Sequence, residues 1–259
     1  MTKAAFFDID GTLLSFKTHQ VSTGTIEAFK ALRDKGIKTF ISSGRPTRLI
    51  PEFPFEFDGH ITMNGGRCYT LENGSQHVLL ANPLPQDTSR KWLDHAKSNN
   101  ITTFAFTADA IFVNRLAPDA LELQAQLGFP MPPVRPTDEL YDEVVFQFIA
   151  MQPADDDADL LKMLPDCRLP RWHHAFSDLI PASNSKAEGI RHILDHYGIQ
   201  REECIGFGDG DNDIEMLEYC GIGVAMGNAA DSVKSHADYV TTDVDNEGIR
   251  QGLLHFGII

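Results

Sequence analysis

Ala5-Phe6-Phe7-Asp8-Ile9-Asp10-Gly11-Thr12-Leu13-Leu14 sets two carboxylates one residue apart inside an otherwise apolar run. The run reads as a buried strand. Taking a carboxylate out of water costs several kcal/mol, so such a strand needs a counter-charge, and a divalent cation is the simplest one. Side-chain alternation along a strand points Asp8 and Asp10 the same way where the strand ends. Gly11 lets the backbone turn sharply there, and the Thr12 hydroxyl can tie the turn down. The rival reading is a polar strand end with an Asx-type turn, and the pair alone does not choose between them.

Outward from this stretch, strand and helix patterns alternate. Thr23 to Lys35 carries Ile26, Phe29 and Leu32 at helical spacing, with Gly36 as the stop. Ile37 to Ile41 reads as a strand running into Ser42-Ser43-Gly44-Arg45-Pro46. The pattern returns late in the chain. Lys186 to Tyr197 is an amphipathic helix stopped by Gly198, and Cys204 to Phe207 is a strand ending in Gly208-Asp209-Gly210-Asp211-Asn212-Asp213. A helix over Ile214–Tyr219 and a strand over Ile222–Met226 follow. This alternation predicts an α/β fold with a doubly wound parallel sheet, in which ligands gather beyond the carboxyl ends of the strands. Each polar cluster named falls at that edge.

The middle of the chain differs. Helices are expected at Gln86–Lys97, Pro118–Leu127 and Asp155–Leu164, and strands at Ile101–Phe106, Ala110–Asn114, Val144–Met151 and Arg168–His173. Together with a concentration of prolines, this reads as an α+β module inserted into the larger domain. The division is residues 1–82 and 183–259 for the core and 83–182 for the insertion.

Composition limits the partners. Lys plus Arg total 22 against 37 Asp plus Glu, a formal charge of −15. That field repels nucleic acid and anionic membranes, so neither is expected as a partner, and any anionic ligand needs a local site. The four cysteines lie scattered without metal-ligand spacing, and no apolar run approaches spanning length. Met1-Thr2-Lys3 leads directly into the first strand with no room for a signal peptide, so the expected location is cytoplasmic, as a monomer or weak homo-oligomer.

Rival readings of single clusters fail. Asp209-Gly210-Asp211-Asn212-Asp213 lacks the glycine and glutamate that a calcium loop requires, having Ile214 and Cys220 at those positions. Gly206-x-Gly208 begins a dinucleotide fingerprint but meets Asp211 where the third glycine belongs. Gly44-Arg45 and Lys186 mean little individually. Taken together the clusters fit chemistry at an anionic phosphorus centre, which needs a nucleophile, a neutralising metal, oxygen-binding donors and a fixed cation.

The set resembles the haloacid dehalogenase superfamily. Asp8-x-Asp10-Gly11-Thr12 is similar to its first motif, Ser43 to the second, Lys186 to the third, and Gly208-Asp209-x-x-Asn212-Asp213 to the fourth. Ser43 stands where threonine is commoner, and Lys186 is followed by Ala187-Glu188-Gly189 where many relatives have glycine directly after the lysine. The insertion between Ser43 and Lys186, with Asn64-Gly65-Gly66 and Gly223-Val224-Ala225-Met226-Gly227-Asn228-Ala229, resembles the Cof-type subgroup (class IIB), with a Rossmann-like core and a C2B cap. The resemblance implies a magnesium-dependent phosphatase for small phosphorylated metabolites, sugar phosphates first among them. The alternatives are a phosphomutase or phosphotransferase using the same intermediate and, from another class, a non-catalytic sugar-phosphate-binding protein.

It also implies roles. Asp8 would be the nucleophile and Asp10 the acid and base. Mg²⁺ would be held by Asp8, the Asp10 carbonyl and Asp209, and Asp213 would act behind them. Ser43, the amides near Ile9 and Gly44, Lys186 and Asn212 would hold phosphoryl oxygens. Arg45, Trp172, His173 and His174 are candidate substrate contacts, and strand alternation expects only one of the two histidines to point inward.

Overall fold

The computed structural model describes residues 1–259 apart from Asn73, Gly128, Trp172, His173 and the side chain of Leu127. In chain order the elements begin β1 (Ala4–Phe7), α1 (Thr23–Asp34), β2 (Lys38–Ser42), β3 (Gly59–Thr62), β4 (Arg67–Glu72) and β5 (Ser75–Ala81). Then come α2 (Gln86–Ser98), β6 (Thr103–Phe106), β7 (Ile111–Val113), α3 (Pro118–Leu127), β8 (Gln147–Ala150), α4 (Asp157–Met163), β9 (Cys167–Arg168) and β10 (Ser177–Pro181). The chain closes with α5 (Lys186–Tyr197), β11 (Cys204–Gly208), α6 (Ile214–Tyr219), β12 (Ile222–Ala225), α7 (Asp231–Lys234), β13 (Tyr239–Val240) and α8 (Gly248–His255). They group into two compact units: residues 1–44, 51–81 and 185–259, and residues 45–50 with 82–184.

In the first unit one sheet runs β13-β12-β11-β1-β2-β3-β4-β5. The six strands from β13 to β3 pair in parallel, and β4 and β5 extend the sheet as an antiparallel hairpin absent from the sequence reading. β1 is central, pairing Ala5 with Ile205 on one side and Thr39 on the other. Covered on both faces, it can be wholly apolar. Phe6 stacks on Phe40 at 5.0 Å and Phe7 on Phe207 at 5.3 Å. The chain leaves β1 toward β2 in one direction and returns beside it at β11. The strand order therefore reverses between β1 and β11, the place where an open α/β sheet leaves a crevice beyond its strand ends.

The flanking helices are capped by their own sequence. Ser22 accepts the Thr25 N–H at the start of α1, and Ser185 accepts the Glu188 N–H at the start of α5. Gly198 ends α5 at φ 63°. On α1 the buried stripe includes Ala28, Phe29 and Leu32, whereas Ile26 faces outward, contrary to the spacing argument.

The second unit holds the antiparallel sheet β7-β6-β8-β10-β9. Trp92 and Leu93 of α2 pack with Phe148 and Leu179 in its core, and the Trp92 indole donates to Thr103 Oγ1 at 3.0 Å. Asn82 and Asn184, where the chain enters and leaves, hydrogen-bond each other in both directions. The excursion 45–50 also belongs here, with Arg48 donating to the Asp109 carbonyl. Of the strand expected at Arg168–His173, β9 takes only Arg168 among the described residues, Trp172 and His173 lie outside them, and β10 at Ser177–Pro181 is a strand the sequence reading does not place.

Candidate active site

β1 stops at Phe7, so Asp8 is the first residue beyond it and Asp10 lies in the turn. Period-2 alternation therefore does not govern this pair, correcting the sequence argument. Asp8 is buried and its N–H donates to the Phe207 carbonyl, while Asp10 is half-buried. The turn closes through the Leu13 and Leu14 N–H groups onto the Ile9 carbonyl and the Gly11 N–H onto Leu14. Gly11 has φ +84°, and a Cβ there would sit 2.1 Å from Asp209 Oδ2. Only glycine suits the conformation and the close approach of the Asp209 carboxylate. Thr12 donates its hydroxyl to Asp209 Oδ1 at 3.0 Å.

Lys186, the first residue of α5, is fully buried. Its Nζ donates to Asp8 Oδ1 at 2.6 Å and to Asp213 Oδ1 at 2.5 Å. The other Asp213 oxygen accepts the N–H groups of Asp209 and Gly210. Both oxygens of this buried carboxylate are thus committed to holding the lysine and the loop after β11.

Among the described residues, Asp8, Asp209 and Asp213 bring one carboxylate oxygen each within 4.8 Å of one another. The Asp10 side chain is not part of that group. Burial pushes the Asp8 carboxyl up to about 7, with Asp213 and Asp10 adding to the rise and Lys186 opposing it. Burial likewise pushes Asp209 up to about 8, reinforced by Asp8 and Asp213 and opposed by Thr12 and Lys186. For Lys186, burial pulls the pKa down, but Asp213 and Asp8 outweigh it and leave the ammonium firmly charged. With all three acids ionised around the one ammonium, a double negative charge is left uncompensated. The donors are hard oxygens. A divalent cation fits this set in both charge and chemistry, with the second Asp8 oxygen and the remaining lone pairs of the hydrogen-bonded Asp209 carboxylate available to it.

The second polar group lies at the ends of β2 and β3. Ser43 is buried, its N–H donates to Ile61, and its carbonyl accepts the Asn64 N–H. Met63 and Asn64 both have φ 52°, and Gly65 follows at φ +91°. A Cβ on Gly65 would meet the Ser185 carbonyl at 2.0 Å, and one on Gly44 would sit 3.1 Å from the Asn64 amide nitrogen. Asn212 donates to Asn64 Oδ1 at 2.9 Å, tying the β3 turn to the β11 loop.

Asn64 and Asn228 received no role from sequence reasoning. Asn-Gly after a strand is a recognisable left-handed turn signal, but local pattern says nothing of where Asn228 lands. Asn228 donates to the Gly11 carbonyl and to Asp209 Oδ2. The remaining candidates are in the second unit or outside the described residues. Arg45 belongs to the second unit and donates to the Leu49 carbonyl. His174 is exposed in a turn, its carbonyl accepting from Arg171, so the strand-alternation argument does not apply to it. Trp172 and His173 lie outside the described residues.

A haloacid dehalogenase-like hydrolase family model matches residues 5–253. The chain belongs to that family. YkrA of Bacillus subtilis, whose own phosphatase assignment is provisional, is 32% identical over 100% of this chain and 99% of its own. The 5-amino-6-(5-phospho-D-ribitylamino)uracil phosphatase YitU of the same species is 29% identical over 96% of this chain and 95% of its own. The solved structure of the subclass IIB sugar phosphatase BT4131 superposes with a TM-score of 0.93 at 36% identity, covering both chains completely. This haloacid dehalogenase-like protein is therefore an enzyme of the phosphatase and phosphotransferase group, with the α/β fold of its structural neighbours. No helix among the described residues is long and apolar enough to cross a membrane.

Proposed function

We propose that this hydrolase removes phosphate from a small phosphorylated metabolite whose ester oxygen sits on a polyhydroxylated carbon chain, such as a hexose phosphate. The relatives support the substrate class: BT4131 is a sugar phosphatase, and the YitU substrate carries its phosphate on a ribityl chain. The observation that carries the chemistry is the buried Lys186 ammonium held between Asp8 and Asp213. It holds the Asp8 carboxylate in place for one of its oxygens to attack phosphorus in line, giving an aspartyl-phosphate as the P–O bond to the leaving alcohol breaks. Asp10 protonates that alcohol and then takes a proton from the water that cleaves the acyl phosphate. Lys186, the Ser43 hydroxyl, Asn212 and the backbone N–H groups around Ile9 and Gly44 bind the phosphoryl oxygens. Asp213 acts from behind, orienting Lys186.

Asp8, the Asp10 carbonyl and Asp209 would hold the metal, for which we propose Mg²⁺, and when bound it would supply charge neutralisation and orientation of the phosphoryl group. Selection among leaving groups is assigned to the inserted residues 83–182. A panel of phosphorylated metabolites assayed for phosphate release, with and without chelator, tests the proposal. Hexose or pentitol phosphates should lead the ranking, and Mg²⁺ should restore activity lost to EDTA. Full turnover after exhaustive chelation would contradict the metal assignment, and a preference for nucleotides or phosphopeptides would contradict the substrate class.

A further inference from the structure

Asn228 follows β12, and its side chain joins three segments far apart in sequence. Its Nδ2 donates to the Gly11 carbonyl at 2.9 Å and to Asp209 Oδ2 at 3.1 Å. Its Oδ1 accepts the Val244 N–H at 2.9 Å, so the carboxamide orientation is set by a backbone donor and cannot be inverted without losing all three bonds. The neighbourhood reinforces that placement. A Cβ on Gly227 would lie 2.4 Å from Asp243 Oδ1 and 2.6 Å from Asp243 N, so the chain around 243 presses directly against the backbone beside Asn228. The same turn is braced against the segment after the nucleophile loop, with Asp245 accepting from Lys17 and Glu247 from Ser22.

Asp209 is thus gripped at both oxygens, by Thr12 at Oδ1 and Asn228 at Oδ2. Each donor uses one lone pair and leaves another free. With both oxygens restrained, the carboxylate cannot rotate about its Cβ–Cγ bond. We propose that Asn228 is a positioning residue for the metal site. It locks the Asp209 carboxylate and the Gly11 carbonyl into one arrangement, with the 242–247 turn as the anchor that holds its amide in register. This inference rests on the reading of Asp209 as a metal ligand. A ligand held in place before the ion arrives loses less rotational freedom on binding, so the consequence is tighter metal binding rather than new chemistry.

The test is Mn²⁺ binding to the full chain, followed by electron paramagnetic resonance of the free ion, in Asp209→Asn, Asn228→Ala and Val244→Pro. The last variant removes the N–H that Asn228 accepts while leaving the Asn228 side chain itself in place. Val244 opens a short 3₁₀ turn after an extended Asp243 (ψ 160°), the position in which proline is tolerated. We expect Asp209→Asn to abolish binding, Asn228→Ala to raise the Mn²⁺ dissociation constant about tenfold, and Val244→Pro to raise it two- to threefold. The Mg²⁺ concentration for half-maximal activity should rise in the same order, with a smaller change in kcat. A loss of fold stability alone would lower the melting temperature without moving the affinity of the folded fraction. Wild-type affinity in Asn228→Ala and Val244→Pro, alongside lost binding in Asp209→Asn, would overturn the positioning role alone. Wild-type affinity in Asp209→Asn would overturn the ligand assignment beneath it. Should Asn228→Ala fail to fold, Val244→Pro decides.

Discussion

Lys186 is shut off from bulk solvent, and both its close partners are themselves desolvated carboxylates. Such an arrangement is sensitive to the removal of its one cation, because the two carboxylates then lose their compensation. Lys186→Met fills similar volume but strands Asp8 and Asp213, and it should cost about 3–5 kcal/mol of unfolding free energy. Urea unfolding in chelator measures this, and a loss under about 1 kcal/mol would show that the carboxylates simply take up protons instead. Asp8→Asn behaves differently. It keeps an oxygen to accept from Lys186 and removes a buried negative charge, so stability in chelator should hold or rise. An amide is no nucleophile at phosphorus, and phosphate release should fall on the order of 10⁴-fold or more. Near wild-type turnover in the pure variant would remove Asp8 from that role.

At the level of elements, what the sequence discloses depends on whether a segment's pattern is set by its own burial or by what it meets. α5 and α6 appear where helical periodicity places them, since each buries one face. The β4–β5 hairpin gives no such signal, because β5 is an edge strand with Ser75, Gln76, His77 and Val78 all exposed. β10 is hidden for the opposite reason: all five residues of Ser177-Asp178-Leu179-Ile180-Pro181 are buried, so alternation is absent. α8 carries Gly248 and Gly252, poor helix formers, because a Cβ on Gly252 would meet the Phe207 ring at 2.7 Å. Of the site, Asp8, Asp209, Asp213 and Lys186 are legible as motif members, whereas Asn228 depends on a chain return that no local pattern encodes.

Gly189 illustrates how an element and its neighbour compete. Alanine in mid-helix normally gains about 1 kcal/mol over glycine. Here its Cβ would lie 2.5 Å from Ile61 Cγ2, on a fully buried side chain. Gly189→Ala should therefore destabilise by about 1–3 kcal/mol. Ile61→Ala should cost less in the Gly189→Ala background than alone. A double-mutant cycle by urea unfolding reads that coupling, and additive values would show that the helix shifts to make room.

For the molecule as a whole, the site couples metal, protons and stability. Asp8 and Asp209 have folded pKa values near 7 and 8, above their ordinary value of 3.8. The folded chain therefore holds protons that the unfolded chain has released between about pH 4 and pH 8, and the unfolding free energy contributed by these groups falls across that window as pH rises. The contribution is fully present below about pH 4 and lost by about pH 8. The overall charge of −15 acts in the same direction by self-repulsion. A divalent cation at the site reverses the local sign, because it binds the deprotonated carboxylates and must displace those protons at lower pH. The rise in melting temperature on replacing EDTA with excess Mg²⁺ should thus be small near pH 5 and grow to a plateau by about pH 8. Asp209→Asn should flatten that curve, while a surface charge change such as Glu56→Gln, at an exposed carboxylate paired with exposed Arg33, should leave it unchanged. A Mg²⁺ effect as large near pH 5 as near pH 8 would mean that the ion binds where no proton competes, away from Asp8 and Asp209.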